Sequence, residues 1–302
     1  IHGSLEASGL HGRLIGRLSR SGEGDLPQSC GEFENAGLDR QGIKVRKCTP
    51  LVAFQQNLFR RSLISADMTQ MYRLYYAPDN ASLIIRLALH ALAVPYQAVL
   101  VDRSVQGQKA PNYLAINPNG LIPALETPHG AIFETGANLL WLADTHGALE
   151  PAPDVPDRAA VLKWLVFVSV TLHPALRMLF YPSQYVGSEP AAQDALRAQM
   201  NSEVARHFQT LNAAAGAGHP WFNGATPSGL DYYVAACLRW VALYRAQAIR
   251  HDFDLPRYQN LMTLLHRIEK RPEARAVQTA ESLGPTPFTA PHHPTPQEGS
   301  AT

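Results

Sequence analysis

The sequence has few cysteines, no long apolar run and no excess of charge of one sign. Its three cysteines, Cys30, Cys48 and Cys237, include no Cys-x-x-Cys pair, which argues against a disulfide framework, and we expect no bound metal. The sequence contains no run of eighteen apolar residues, so we expect no membrane-spanning helix. With 26 Lys and Arg against 25 Asp and Glu, we expect neither nucleic acid nor a membrane as partner. Free thiols are typical of reducing compartments, so we expect a cytoplasmic protein.

Two terminal segments lack the patterning of folded elements. Residues 1–67 are rich in Gly, Ser, Arg and Gln without a sustained helical or strand period, which predicts a disordered leader or a non-native extension. A small additional domain is the alternative for this segment. Residues 284–302 are rich in proline, and we predict a disordered tail there.

Residues 68–147 show alternating strand and helix patterns. We predict strands at residues 72–77, 96–101, 121–125 and 131–133, and helices at 81–93, 110–116 and 135–146. A Thr-Pro-His-Gly turn joins the last two strands as a hairpin. The order βαβαββα predicts an α/β domain with a mixed sheet that is flanked by helices.

The second half of the chain is predicted to be helical throughout. A proline-rich linker at residues 148–156 separates it from the first domain. We predict helices at residues 157–180, 190–214, 228–248, 256–270 and 273–281. Ser228 and Asp231 form a predicted capping box at the start of the third of these helices. The fold class is therefore an α/β domain followed by an all-helical domain over residues 157–283.

The segment Tyr75-Tyr-Ala-Pro-Asp-Asn-Ala-Ser82 connects the first strand to the first helix. A helix N-terminus presents unpaired N–H groups and favours an anion such as a thiolate. Ala81 is the residue nearest this corner and no cysteine is close, so we expect the substrate to supply the sulfur. The side chains of Ser82 and Asn80 can each donate a hydrogen bond there. Tyr76 can do so only if its ring faces inward, since Tyr75 and Tyr76 point to opposite faces of a strand.

Two further motifs are suited to a peptide-like ligand. In Leu121-Ile-Pro-Ala-Leu125, a cis bond between Ile122 and Pro123 would leave the Ile122 backbone free to pair with an extended ligand. Glu134 and Thr135 begin the following helix. The carboxylate can bind an ammonium group, while the hydroxyl and the backbone N–H groups can bind a carboxylate. This is the arrangement that a γ-glutamyl group requires.

Three strings, Tyr-Tyr-x-Pro, Ala-Ile-Asn-Pro-Asn-Gly-Leu-Ile-Pro-Ala-Leu and Glu-Thr, together resemble the glutathione S-transferase family. The resemblance covers residues 68–280 and implies a thioredoxin-like glutathione-binding domain followed by a helical domain. The corner is most similar to the bacterial beta class, whose catalytic cysteine position is occupied here by Ala81. The resemblance also implies that His173 faces glutathione and that the protein is a homodimer.

The leading hypothesis is a transferase in which glutathione, as co-substrate, attacks a small hydrophobic electrophile, with a role in detoxification. Catalytic candidates are Ser82, Asn80 and Tyr76, and glutathione-binding candidates are Ile122, Pro123, Glu134, Thr135 and His173. One alternative is a glutathione-dependent disulfide reductase or peroxidase, and another is a binding module without catalysis. Aromatic and apolar candidates for the wall around the electrophile are Trp164, Phe167, Met178, Tyr181 and Tyr185.

Overall fold

The computed structural model of the 302-residue chain describes residues 71–244 and 253–300. The predicted leader or extension at residues 1–67 lies outside the described residues.

The first domain is built on a four-stranded sheet. Its elements are β1 (Tyr72–Tyr76), α1 (Ser82–Ala91), β2 (Tyr96–Leu100), α2 (Pro111–Leu114), β3 (Ala124–Thr127), β4 (Gly130–Phe133) and α3 (Thr135–His146). The strand order is β2-β1-β3-β4, with β1 parallel to β2 and antiparallel to β3, and β3 antiparallel to β4. This confirms the predicted βαβαββα order and its mixed sheet.

Side-chain alternation along β1 assigns its two faces. Leu74 and Tyr76 belong to the main core, together with Leu83 and Ile84 of α1. Tyr75 belongs to a smaller cluster on the other face. An alternating strand presents successive side chains to opposite faces, so the sheet separates the two clusters.

The second domain is helical. Its elements are α4 (Arg158–Phe167), a π-helical segment (Val168–Leu172), α5 (His173–Phe180), α6 (Ser183–Val186), α7 (Pro190–Ala215), α8 (Gly229–Leu243), α9 (Gln259–Glu269) and α10 (Pro272–Glu281). Pro174 has no N–H to donate to the preceding turn, which accounts for the π-helical segment just before α5. The capping box is present: Ser228 Oγ accepts from Asp231 N at 3.1 Å, and Asp231 Oδ2 accepts from Ser228 N at 2.8 Å.

One helical stretch within the described residues, Arg158–Phe180, is long and apolar enough to cross a membrane. The sequence predicts no membrane-spanning helix here, because charged residues such as Lys163 interrupt the apolar run. Val161, Leu165 and Leu172 are fully buried in the main hydrophobic core. We therefore interpret the stretch as a core helix of the second domain.

The structure differs from the predicted disordered tail at residues 284–302. Residues through Ser300 are described, and Phe288 is fully buried. The backbone N–H groups of Phe288 and Thr289 both donate to Glu269 Oε1 at 2.7 Å. Proline removes a backbone donor but leaves the carbonyl, and Arg239 donates to the Pro287 carbonyl at 2.7 Å. The tail is therefore packed by an apolar anchor and by hydrogen bonds from charged side chains.

Candidate active site

A cleft of about 460 Å³ lies between the two domains. Its walls come from the β1–α1 corner, the segment that precedes β3, the β4–α3 junction, and helices α5 and α8. Six of the predicted site residues line it: Asn80, Ile122, Pro123, Glu134, Thr135 and His173. Ser82 and Tyr76 do not.

The structure does not support Ser82 as the thiol donor and gives it a structural role instead. Its side chain is fully buried, and its hydroxyl donates to the Ala77 carbonyl at 3.0 Å while it accepts from the Ala77 N–H at 3.3 Å. These bonds close the turn between β1 and α1. A hydroxyl that already donates inside the protein has no second proton to give to a ligand.

The structure does not support Tyr76 as the thiol donor either. Its ring lies on the α1 side of the sheet, 4.2 Å from the Arg86 guanidinium, and its hydroxyl donates to Glu298 Oε1 at 2.7 Å. Burial, together with the hydrogen bond to Glu298, raises the pKa of Tyr76 to about 12. Tyr75, on the other face, donates to Glu126 at 3.1 Å. Neither tyrosine lines the cleft.

Asn80 is the predicted donor that remains at the corner. Its Oδ1 accepts from the Ala81 N–H at 2.8 Å, and its carbonyl accepts from the Leu83 N–H. The side-chain oxygen is thus occupied, and the amide nitrogen is the group that can donate to a ligand. Ala81 lines the cleft beside Asn80, at the start of α1.

The predicted cis bond between Ile122 and Pro123 is present. The preceding Leu121 carbonyl accepts from Tyr113 Oη at 2.6 Å and from Asn117 Nδ2 at 2.7 Å. These two side chains hold the loop in place from α2 and from the turn that follows it. The Ile122–Pro123 backbone therefore forms a fixed edge of the cleft, just before β3.

Glu134 and Thr135 lie where β4 meets α3. Glu134 is exposed, has a positive φ of 70°, and occupies the N-cap position, where its carbonyl accepts from the Asn138 N–H at 3.0 Å. Thr135 is buried as the first residue of the twelve-residue helix. The positive φ turns the chain at the N-cap, so a carboxylate and a helix N-terminus line the cleft together.

His173 lines the opposite wall, on α5. Its Nδ1 lies 2.8 Å from Tyr233 Oη, and its ring centroid lies 5.4 Å from that of Trp240. Burial, and to a smaller extent the positive charge of Arg177, lower the pKa of His173 to about 4. The imidazole is therefore neutral at physiological pH. It can contribute shape and one hydrogen bond to a ligand, but no charge.

Comparison with known proteins agrees with this geometry. The family model for the glutathione S-transferase N-terminal domain matches residues 70–144. Glutathione S-transferase GST-4.5 of Xanthomonas campestris is 28% identical over 216 residues, 70% of this chain and 99% of that protein. Disulfide-bond oxidoreductase YfcG of Escherichia coli K12 is 30% identical over 221 residues, 71% of this chain and 97% of that protein. This chain belongs to the glutathione S-transferase family.

Solved structures of family members share the fold. A glutathione transferase homologue from Sulfitobacter with bound glutathione has a TM-score of 0.59 and 26% identity, over 69% of this chain and 97% of that chain. The bacterial beta-class enzyme of Sphingomonas chungbukensis has a TM-score of 0.56 and 27% identity, over 69% and 98% of the two chains. The first domain is thus the thioredoxin-like domain of the family, as predicted.

Several cleft residues of this family member were missed by sequence reasoning. They are the cations Arg103, Lys109 and Arg177, the polar residue Gln108, Tyr233 and Trp240 of α8, and Tyr244, which caps the C-terminus of α8. Arg103 and Lys109 lie in short non-periodic turns, and Arg177 lies on an eight-residue amphipathic helix where an arginine is ordinary, so no pattern distinguishes them. Helix α8 is buried almost throughout, so its cleft residues resemble core residues in sequence. Gly120 permits close packing here, because a Cβ on it would lie 2.8 Å from the Gln108 carbonyl.

Asp79 is a second missed residue of the corner. Its carboxylate accepts from Arg239 Nε at 2.8 Å, Arg239 Nη2 at 2.9 Å, Trp240 Nε1 at 3.1 Å and Tyr244 Oη at 2.6 Å. Its own N–H donates to Glu281 Oε2 at 2.8 Å. Asp79, which directly precedes Asn80, therefore connects the corner to α8 and α10 of the helical domain.

The aromatic candidates for the second substrate are only partly in place. Tyr181 lines the cleft, and Phe180 does so as well. Among the described residues, Trp164, Phe167, Met178 and Tyr185 are not part of the cleft wall.

Cys237 is fully buried in the core, and burial raises the pKa of its thiol. Within residues 71–244 and 253–300, no group of three or more His, Cys, Asp or Glu side chains is arranged to hold a metal ion.

Proposed function

We propose that this family member is a glutathione transferase that stabilises the glutathione thiolate for attack on a hydrophobic electrophile. The observation that carries the proposal is the meeting of three features in one cleft: the Ile122–Pro123 edge, the Glu134–Thr135 pair and the Asn80–Ala81 corner. Solved relatives that contain bound glutathione support glutathione as the ligand. Glutathione enters as a co-substrate, and the proposed reaction uses no metal.

The charges of the cleft complement those of glutathione, which carries one ammonium and two carboxylates. Glu134 would bind the γ-glutamyl ammonium, and the Thr135 hydroxyl with the first N–H groups of α3 would bind the neighbouring carboxylate. The backbone at Ile122 would pair with the cysteinyl peptide unit. Lys109 would bind the glycyl carboxylate. The sulfur would then lie at the β1–α1 corner.

At that corner the protein needs to supply only modest stabilisation of the thiolate. A thiol of pKa ~8.5 requires about 2.7 kcal/mol to lower its pKa by two units. One hydrogen bond to a charged acceptor contributes roughly 1.5–3 kcal/mol. The N-terminus of α1 contributes roughly 0.3–1 kcal/mol more. We therefore assign thiolate stabilisation to the Asn80 amide nitrogen together with the helix N-terminus.

The chemical step is a nucleophilic substitution or addition. The thiol proton leaves to solvent, and the thiolate forms a carbon–sulfur bond with the electrophile. With an aryl halide, the carbon–halogen bond breaks and halide departs with its electron pair. Phe180 and Tyr181 of the helical wall would contact the apolar part of the electrophile.

A second candidate is glutathione-dependent disulfide reduction, which the relative named as a disulfide-bond oxidoreductase favours. Here the thiolate attacks a disulfide sulfur and displaces one thiolate. The thiolate of a second glutathione then attacks the glutathione sulfur of the mixed disulfide. The second thiolate of the substrate is displaced, and glutathione disulfide is released. This route needs no cysteine at Ala81, because glutathione supplies both sulfurs.

We further propose a cytoplasmic homodimer with a role in detoxification. Val166 and Val170 support the dimer: they lie one turn apart on the Arg158–Phe180 stretch and remain 50% and 64% exposed. Apolar side chains this exposed on one helix face are suited to a second copy of the chain. Analytical ultracentrifugation of native protein and Val170→Glu tests this, with a shift toward monomer expected in the variant.

The decisive experiment for the function combines binding and turnover. Calorimetry with glutathione and with S-hexylglutathione tests the peptide site and the adjoining apolar space. Turnover of chlorodinitrobenzene against hydroxyethyl disulfide then separates the two reactions. We expect both ligands to bind and the halide to be conjugated. Turnover of the disulfide alone would favour the second candidate, and binding without either turnover would indicate a module without catalysis.

A further inference from the structure

Arg177 is a cation on the helical wall of the cleft. It lies one turn after His173 on α5. Its Nε donates to Tyr185 Oη at 3.3 Å and its Nη2 to Gln184 Oε1 at 3.5 Å. Both partners are neutral and both distances are long for hydrogen bonds. Among the described residues, no carboxylate lies within 4.0 Å of its guanidinium.

The surroundings of Arg177 combine this positive charge with aromatic surface. Phe180, Tyr181, Trp240 and Tyr244 line the same cleft. Asp79, the carboxylate of the β1–α1 corner, already accepts four hydrogen bonds from Arg239, Trp240 and Tyr244, so its oxygens are occupied. The guanidinium is therefore a positive charge without a carboxylate partner among the described residues, on a wall that also presents aromatic surface to the cleft.

In the proposed function, the charges of glutathione have other partners. Glu134, Thr135 and Lys109 account for its ammonium and its two carboxylates. An anion on the second substrate is then the group that Arg177 can pair with. Arginine binds a carboxylate through two parallel N–H···O bonds, which also fixes the orientation of the ligand.

We infer that the co-substrate is an aromatic electrophile that carries a carboxylate, with its ring against Phe180 and Tyr181 and its carboxylate on Arg177. This inference rests on the proposed glutathione site. Arg177 is then the residue that selects acidic over neutral co-substrates. Because the pair is partly exposed, we expect a preference of about tenfold, reduced by added salt.

The test measures binding, so it does not depend on turnover. Calorimetry compares S-benzylglutathione with S-(para-carboxybenzyl)glutathione, which differ by one carboxylate. In the native protein, the acidic conjugate should bind about tenfold more tightly. In Arg177→Gln the two affinities should agree within about twofold, while Arg177→Lys should keep part of the preference.

Two controls accompany these variants. Arg206→Gln removes the same charge from an exposed site on α7, where the native arginine pairs with Glu203, and it should keep the full preference. Unsubstituted glutathione should bind Arg177→Gln as it binds the native protein. A loss of glutathione affinity would place Arg177 in the glutathione site and overturn the inference.

The remaining outcomes distinguish the inference from the proposed function. Equal binding of both conjugates to the native protein, or a preference that survives in Arg177→Gln, would overturn the inference and leave the glutathione site intact. If glutathione and both conjugates fail to bind the native protein, the proposed function is wrong and the inference falls with it.

Discussion

Substitution of Asp79 by Asn should reveal how strongly the corner of the cleft depends on a buried charge. The side chains of Asp79 and Arg239 are both completely buried, and they meet through two hydrogen bonds of 2.8 and 2.9 Å. Asp79→Asn keeps the shape of the side chain but removes its negative charge. The amide also places an NH₂ group where the native carboxylate accepts bonds from Arg239, Trp240 and Tyr244.

The magnitude follows from leaving Arg239 charged and buried without its anion. Removing one partner of a buried ion pair costs about 3–5 kcal/mol. The carbonyls of Pro287 and His292 still accept from Arg239, at 2.7 and 3.0 Å, which favours the lower end of this range. For a folded region of this size, each kcal/mol lowers the melting temperature by about 2–4 °C. With a cost of about 3 kcal/mol, we expect a decrease of roughly 6–12 °C.

Urea unfolding and thermal melting at one fixed protein concentration measure this effect, since the stability of a dimer depends on concentration. Arg197→Gln is the control, because its ion pair with Asp194 is at the surface and should contribute at most about 1 kcal/mol. Glutathione affinity should fall in Asp79→Asn, since Asn80 is the next residue. A loss of stability no larger than that of the control would refute the assignment of a buried, desolvated pair.

The remaining predictions concern the ligand site and pH. Asn80→Ala should raise the pKa of the bound glutathione thiol by about one to two units in a thiolate absorbance titration, whereas Ser82→Ala should lower stability and leave that pKa unchanged. Glu134→Gln should weaken glutathione binding about tenfold in calorimetry, because the ammonium loses its counter-charge; unaltered affinity would remove Glu134 from the site. Burial raises the pKa of Glu150 to about 8 from 4.5, so the folded state keeps a proton that the unfolded chain loses. The contribution of Glu150 to stability should therefore fall as pH rises from 4.5 through about 8, and Glu150→Gln should remove that contribution to the slope in melting experiments.

Local patterns were sufficient to predict most of the fold. Helix α3 was predicted at residues 135–146, and the structure has it at Thr135–His146. The four strands occur in the predicted order, although β3 begins at Ala124, after Pro123 rather than before it. Proline cannot donate to the ladder, so the strand starts at the first residue that can. Hydrophobic period and turn chemistry decide such features, and both can be read from a single sequence.

The sequence did not identify the thiol donor, because the contacts of the two tyrosines join distant residues and a serine at a helix start has two local roles. The alternation of side chains along a strand showed that only one of Tyr75 and Tyr76 could face inward. In the structure each hydroxyl donates to a carboxylate outside the cleft, Tyr75 to Glu126 on β3 and Tyr76 to Glu298 in the tail. For Ser82 the deciding contact is local, the Ala77 carbonyl. A serine at the start of a helix can close the preceding turn or serve a ligand, and its position alone does not separate these roles.

Arg239 was the overlooked sequence signal. It stands within Ala-Ala-Cys-Leu-Arg-Trp-Val-Ala-Leu, on a helix whose other residues are almost all apolar. A charge in such a helix has to be paired, because desolvation of an unpaired charge is too costly. That requirement predicts that a carboxylate or another acceptor packs against the guanidinium in the folded chain. Asp79 at the corner and the carbonyls of Pro287 and His292 in the tail are its acceptors, so one arginine links the tail to the corner beside Asn80.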